Sequence, residues 1–133
     1  MLGSDEEQNR GGSEEDMNIL SEIRTILAPL NIPIETGVFK GEAPDRYIVL
    51  VPLNDSFPLN GDDYPLTDQQ EARISIFTKG NYINLKNQVT GRLLSAYFFI
   101  TDRRYNGYDT ETGYHQYTID VAKNYDIEEE EEN

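Results

Sequence analysis

The run Tyr47-Ile48-Val49-Leu50-Val51 constrains the fold more than any other stretch of this chain. Its side chains are apolar at every position, whereas a strand with one face in water alternates apolar and polar residues. The run therefore predicts a strand over Arg46–Leu53 that is covered on both faces and lies centrally in a sheet. A turn marked by Gly37 and Gly41 separates it from a short first strand predicted over Ile32–Phe39.

The rest of the chain predicts two helices and three further strands. Leu20, Ile23 and Leu27, flanked by Ile19 and Ile26, have the helical period and favour a helix over Met17–Ala28 that ends at Pro29. The other predicted elements are a strand over Gln69–Thr78, a helix over Tyr82–Ala96, a strand over Tyr97–Asp102 and a strand over Tyr114–Tyr125. The order α-β-β-loop-β-α-β-β is typical of an α+β fold, in which two helices pack on a mainly antiparallel sheet of about five strands.

Three polar or glycine positions refine this prediction. Asn81 is a candidate N-cap for the second helix. Gly91 costs that helix about 1 kcal/mol relative to alanine, and it indicates close packing of the helix on the sheet. Asn106-Gly107 is a hairpin signal within a predicted polar turn over residues 103–113.

Two connections carry candidate protein-contact residues. The loop over residues 54–67 is longer than the usual median of about 4–6 residues, and long loops in compact domains are often functional. Its candidate contact residues are Phe57, Leu59, Asp62, Asp63, Tyr64 and Leu66. The 103–113 turn offers Arg103, Arg104, Tyr105 and Tyr108, two residue types that are enriched in protein interfaces. Two arginines are too few to dominate nucleic-acid binding.

The net charge of -14 is concentrated at the two ends of the 133-residue chain. Residues 1–16 carry a net charge of -5 and residues 126–133 carry -6, which leaves -3 for residues 17–125. We expect residues 1–16 to be a disordered acidic leader or tag, with a native acidic arm as the alternative. Residues 17–125 are expected to form a single domain, and residues 126–133 a disordered acidic tail. No basic stripe indicates direct nucleic-acid binding.

Residues that support catalysis or metal binding are few. The chain has no cysteine, which excludes thiolate sites, and no apolar run near 18 residues that predicts a membrane span. His115 is the one histidine, so a general-base or metal-ligand role lacks a second histidine to work with. Asp55, Asp62 and Asp63 do not have the EF-hand spacing for calcium. We therefore expect no enzyme activity, no metal and no cofactor.

The order of these features resembles the tail-terminator (tail completion, tail-to-head joining) proteins of long-tailed bacteriophages and prophages. The resemblance rests on the opening helix, the Gly37-to-Tyr47 turn, the step Phe77-Thr78-Lys79-Gly80-Asn81-Tyr82 and the step Thr112-Gly113-Tyr114-His115 into the last strand. It implies a structural virion protein that caps the head-proximal end of the tail tube and joins it to the head connector.

The resemblance also implies partners and a location. The partners would be the tail tube protein and the head connector or stopper protein, and the chain would form a homo-oligomeric ring, commonly a hexamer, with a monomer as the free form. It would act in the virion neck after assembly in the host bacterial cytoplasm. The alternatives are another neck protein, such as a head-completion or stopper protein, and a small host-directed protein-binding module.

Overall fold

A computed structural model describes residues 18–56 and 67–126 of the chain. Its elements are helix α1 (Ile19–Leu27), a 3-10 turn (Ala28–Leu30), β1 (Ile34–Thr36), β2 (Arg46–Ser56), β3 (Thr67–Thr78), α2 (Tyr82–Ser95), β4 (Phe99–Tyr108) and β5 (His115–Asp126). The predicted order of helices and strands and the α+β class are confirmed. The predicted acidic leader and all of the predicted acidic tail except Asp126, which ends β5, lie outside the described residues.

The five strands form one sheet in the order β1-β2-β3-β5-β4. β1 pairs with β2 in parallel over three residues, and every other pair is antiparallel. β2 is an interior strand with a partner on each side, as its apolar run predicted, although β3 rather than β2 takes the middle position. Apolar residues on both faces of a strand indicate that both faces are buried. They do not indicate how long the neighbouring strands are, and β1 pairs only with Ile48–Leu50 of β2.

The hydrophobic core lies between the two helices and one face of this sheet. Alternate strand residues point into it, as the two-residue period of a strand requires. The strands contribute Ile48, Leu50, Ala72, Ile74, Ile76, Tyr117, Ile119 and Val121, and the helices contribute Ile19, Ile23, Leu27, Leu85, Val89 and Leu93. Leu20 and Ile26 are half-buried at the margin of the α1 stripe, so Ile19 rather than Leu20 begins its buried row.

Asparagine side chains begin both helices. Asn18 accepts a hydrogen bond from the Leu20 amide, and Asn81 accepts one from the Asn84 amide, which confirms the predicted N-cap of the second helix. The expected role of Gly91 was wrong. A Cβ added at Gly91 would meet no atom within 4 Å, because this residue lines an open groove between the helices rather than the sheet contact.

The predicted boundary between the fourth strand and the following turn was also wrong. β4 continues through residues 103–108, and Asn106-Gly107 forms a bulge in its pairing with β5 instead of a hairpin turn. Asn106 donates a side-chain hydrogen bond to Thr118 of β5, which fixes the bulge to its neighbour. The chain reverses at residues 109–114, where the Asp109 amide donates to the Tyr114 carbonyl and Gly113 has a φ of 83°.

A half-buried polar network ties α1 to β5 and to the end of α2. The Lys123 ammonium donates to Glu22 Oε2 at 2.7 Å and to the Ala96 carbonyl at 2.9 Å. The Tyr125 hydroxyl donates to Glu22 Oε1 at 2.8 Å. Lys123 Nζ also lies 4.7 Å from the centre of the Phe98 ring, within the range of a cation–π interaction. The network therefore fixes the helices against the sheet at one end of the core.

The ionisation of Tyr125 should make the free energy of unfolding fall as the pH rises into the alkaline range. Burial, aided by Glu22, raises the pKa of Tyr125 above its ordinary value of 10.0. The folded chain keeps a phenol proton that the unfolded chain releases above pH 10, so this stabilisation is present below pH 10 and is lost as the pH rises. Between pH 9 and pH 11 the parent chain should lose about 1.4 kcal/mol more than Tyr125→Phe does in urea unfolding. Equal losses would contradict a raised pKa at this site.

Candidate functional site

The structure places the four predicted β4 contact residues on two different faces of the sheet. Arg103, Tyr105 and Tyr108 share the helix-bearing face with their β5 partners, whereas Arg104 is opposite Thr118 on the other face. Arg103 reaches Thr90 of α2 at 3.5 Å, and Arg104 forms an ion pair with Asp102. The two arginines therefore do not form one basic surface. The six loop candidates between Phe57 and Leu66 lie outside the described residues.

Tyr105 and Tyr108 belong to a ring cluster around the only histidine. The cluster contains Tyr82, Tyr105, Tyr108, His115 and Tyr117. The Tyr105 hydroxyl lies 2.9 Å from His115 Nδ1, and the Tyr82 and Tyr105 rings stack with centres 4.7 Å apart. His115 thus has a tyrosine partner and ring neighbours. In the described ranges no group of three or more His, Cys, Asp or Glu side chains is placed to hold a metal ion.

A second aromatic group lies on the helix-free face at the same end of the sheet. Phe39, Tyr47 and Phe77 follow one another, with ring centres 4.6 Å and 4.7 Å apart, and the ring of Tyr114 meets Tyr47 edge-on at 5.4 Å. The Tyr114 hydroxyl donates to the Pro44 carbonyl, which ties the last turn to the β1–β2 connection. Burial, and next the nearby Tyr114, raise the pKa of Tyr47 above its ordinary value.

This second group borders a pocket of about 340 Å³, which we call the hairpin pocket. Its lining residues are Tyr47, Phe77, Asn106, Gly107, Tyr108, Asp109, Thr112, Tyr114 and Gln116. The volume is at the lower end of the range for ligand pockets, about 300–1,000 Å³, and the combination of apolar rings with a few polar groups is typical of such sites. The pocket can therefore receive one side chain or a small molecule.

A larger but shallower groove separates the two helices. It has a volume of about 770 Å³ and is lined by residues such as Ile26, Pro29, Gly91 and Ala96. Arg92 crosses it and donates to the Ile26 carbonyl at 3.3 Å. The groove is wide and open, and it concentrates neither charges nor reactive groups.

Three apolar side chains are exposed where α2 passes into β4, and we call them the corner patch. They are Leu94, Tyr97 and Phe99, and the side chain of Tyr97 is 84% exposed. Tyr97 has a φ of 66°, in the left-handed region that favours glycine. Its amide donates to the Leu94 carbonyl, and the Phe98 amide donates to the Leu93 carbonyl, which closes the helix end. A residue other than glycine in this conformation carries a backbone cost of about 1 kcal/mol that glycine would avoid.

Replacing Tyr97 with glycine should raise the free energy of unfolding by about 1 kcal/mol, since glycine removes the Cβ strain of a left-handed residue. The exposed ring loses almost no burial in this change. Urea unfolding measures the gain, and Tyr97→Ala is the matched control because alanine keeps the Cβ. If the glycine variant is no more stable than the alanine variant, residue 97 carries no backbone strain that a Cβ causes.

The outer edge of β4 pairs with no strand in the described part of the chain. Bulges interrupt the strand between Ile100 and Asp102 and again between Tyr105 and Gly107. Charged residues lie between the two bulges, and both devices discourage the addition of another strand. Side chains, rather than backbone pairing, are therefore the means by which this edge can meet a partner.

The sequence prediction missed the corner patch and the hairpin pocket. One signal for the pocket was present: Phe77 alternates with Arg73 and Ser75, so its large ring lies on the face opposite to Ile74 and Ile76. Nothing in the sequence marked Tyr97, because the end of α2 carries no glycine and the left-handed residue there is a tyrosine.

The fold and its surfaces define an α+β protein with aromatic side chains exposed along one edge and at one end of its sheet. Scans against protein-family models and against curated proteins find no match to this chain. No helix in the described part of the chain is long and apolar enough to cross a membrane.

Proposed function

We propose that this chain is a structural assembly protein of the tail-terminator type, which caps the head-proximal end of a phage tail tube and joins it to the head connector. The proposal combines the order of sequence features with an exposed surface that fits subunit contact. In this function the chain acts by binding proteins, without substrate turnover or a cofactor. Its partners would be copies of itself, the tube protein and a connector or stopper protein in the virion neck.

The corner patch is the observation that carries this proposal. Large apolar side chains exposed around one corner of a fold are candidates for protein contacts, and aromatic residues are the usual anchors of such contacts. Leu94, Tyr97 and Phe99 are exposed within six residues of chain at the corner between α2 and an edge strand that resists strand addition. Leu94 lies on the helix side, and Phe99, opposite Ala122, lies on the helix-free side. The patch therefore suits packing against a different surface of a neighbouring subunit.

Ring geometry sets the nature of that contact. A closed ring needs a heterologous interface, in which one surface of each subunit meets a different surface of the next. β1 and β4 form opposite edges of the sheet, so the corner patch at the start of β4 is well separated in strand order from the β1 edge. A subunit with one apolar corner and a distinct opposite edge satisfies this requirement of a ring.

The test is electron microscopy of particles from the phage or prophage that encodes the chain, with a stop codon placed just after Met17. We expect filled heads beside separate tails, some of them of abnormal length, because the tube would be neither capped nor joined. Normal complete virions would overturn the proposal and turn attention to a host-directed binding module. Joined particles with a defect confined to the head would favour another neck protein.

Complementation in trans then tests the patch itself. The parent chain should restore complete virions, whereas the double variant Tyr97→Ser, Phe99→Ser should not. Val38→Ser is the matched control, because it removes another exposed apolar side chain near the opposite, β1 edge of the sheet. Restoration by the double variant would show that the patch is not the subunit contact and would remove the structural support for the proposal.

A further inference from the structure

The hairpin pocket lies in a gap in one row of side chains across the sheet. Tyr47, Phe77, Gln116 and Gly107 are consecutive register partners on β2, β3, β5 and β4. Because Gly107 has no side chain, this row of side chains ends at Gln116 and does not reach the β4 edge of the sheet. A Cβ added there would meet no atom within 4 Å. The recess is therefore built by a glycine on an edge strand next to a row of aromatic rings.

One carboxylate gives the described lining of the pocket a negative formal charge. Among the nine described residues that line the pocket, Asp109 alone carries a formal charge. Asp109 Oδ1 accepts a hydrogen bond from the Glu111 amide at 3.0 Å, and Oδ2 has no hydrogen-bond partner among the described residues. The turn thus holds the carboxylate in place while leaving one of its oxygens available to a ligand.

The neutral lining groups also favour a donor ligand. Asn106 uses its Nδ2 to donate to Thr118, which leaves its Oδ1 without a partner in the described ranges. Aromatic rings carry negative charge on their faces and attract cations. The Tyr114 ring already has one cation nearby, since Lys79 Nζ lies 5.1 Å from its centre, and Lys79 is not among the pocket residues.

From these features we propose that the hairpin pocket binds the guanidinium group of an arginine on a partner protein. A guanidinium is planar, stacks on aromatic rings and has five N–H donors, so it matches a site made of rings, one carboxylate and a free amide oxygen. A lysine ammonium lacks the flat face, and an anion would meet Asp109 with the same charge. That the partner is a tail or connector protein rests on the function proposed above, whereas the chemistry of the pocket does not.

The test uses the purified full chain and two short capped peptides, Gly-Arg-Gly and Gly-citrulline-Gly. Citrulline has nearly the same shape as arginine but carries no charge. In NMR titrations the arginine peptide should give saturable shifts of the amides of Asn106, Gly107 and Thr112, and the citrulline peptide should bind at least tenfold more weakly. Equal binding of the two peptides, or no saturable shift with arginine, would overturn the proposal.

Two variants locate the effect. Asp109→Asn keeps the side-chain oxygen that caps the Glu111 amide but removes the charge, so we expect about tenfold weaker binding of the arginine peptide. Glu111→Gln removes one negative charge from the same turn outside the pocket, and it should leave the affinity unchanged. Equal weakening by both variants would show non-specific attraction and would also overturn the site. Because these measurements use the free chain, their failure is distinct from a normal virion in the stop-codon experiment.

Discussion

Replacing Leu93 with alanine is expected to lower the free energy of unfolding by about 2–5 kcal/mol. Leu93 is 0% exposed, and it lies in the core with Val89 and Leu85 on the inner face of α2. Truncation removes buried apolar surface and leaves a cavity between the helix and the sheet. Alanine is the best helix former, so the helix itself gains rather than loses propensity. The loss therefore reports packing alone.

The adjacent residue provides a matched control. Leu94 is 54% exposed on the same helix, so Leu94→Ala should change the free energy of unfolding by no more than about 0.5 kcal/mol. Urea unfolding followed by circular dichroism measures both variants. Similar losses for the two would mean that α2 does not pack on the sheet through Leu93, and would contradict the core as described.

The class and element order of this fold are predictable from the sequence because apolar periodicity reflects burial directly. The two-residue period of Ala72, Ile74 and Ile76 and the helical spacing of Leu85, Val89 and Leu93 both appear as core positions in the structure. Each pattern is local, and each states which side of an element faces away from water. The buried faces of both helices and of β3 and β5 can therefore be predicted from the sequence alone.

Apolar periodicity does not predict the order of the strands in the sheet or the ends of β4. The apolar residues on both faces of β2 predicted that both faces are buried, but its neighbour on one side is the three-residue strand β1. Local periodicity does not specify which strands pair. Asn106-Gly107 has the chemistry of a hairpin turn, yet pairing with β5 continues past it, and the extra residue becomes a bulge. Long-range pairing outweighed local turn preference at that point.

The candidate surfaces were predictable only in part. Tyr105 and Tyr108 are exposed on an edge strand, but they were expected on a hairpin tip, and Arg103 and Arg104 face opposite sides. The hairpin pocket joins residues from four strands and a turn, and the corner patch depends on a backbone angle at Tyr97. Both features arise from tertiary placement of residues that look ordinary in the sequence.

The apolar core and the exposed aromatic rings lie in different parts of the molecule. The helices and strands β2, β3 and β5 supply the apolar core, whereas the exposed rings lie just before and along β4. Substitutions at the corner patch and at Asp109 therefore test binding in a chain that remains folded. Outside the apolar core, the polar network between α1 and β5 also contributes to stability, because its charged groups are half-buried and hydrogen-bonded.

Glu22→Ala should lower the free energy of unfolding by about 2–3 kcal/mol. The change leaves the Lys123 ammonium, whose side chain is 21% exposed, with the Ala96 carbonyl as its remaining hydrogen-bond acceptor among the described residues. It also leaves the buried Tyr125 hydroxyl without a partner among those residues. Breaking a fully buried ion pair costs about 3–5 kcal/mol, and the partial exposure of both side chains reduces that figure through solvent screening.

A double-mutant cycle separates the ion pair from the loss of packing. Lys123→Met keeps an unbranched apolar stem near Phe98 and removes the charge. The double variant should therefore lose less free energy of unfolding than the sum of the losses of the two single variants. The expected coupling is about 1–2 kcal/mol, because the second change no longer strands a charge. Additive losses in urea unfolding would mean that Glu22 and Lys123 do not interact in solution. A coupling of the expected size would establish that Glu22 of α1 and Lys123 of β5 interact in the folded chain.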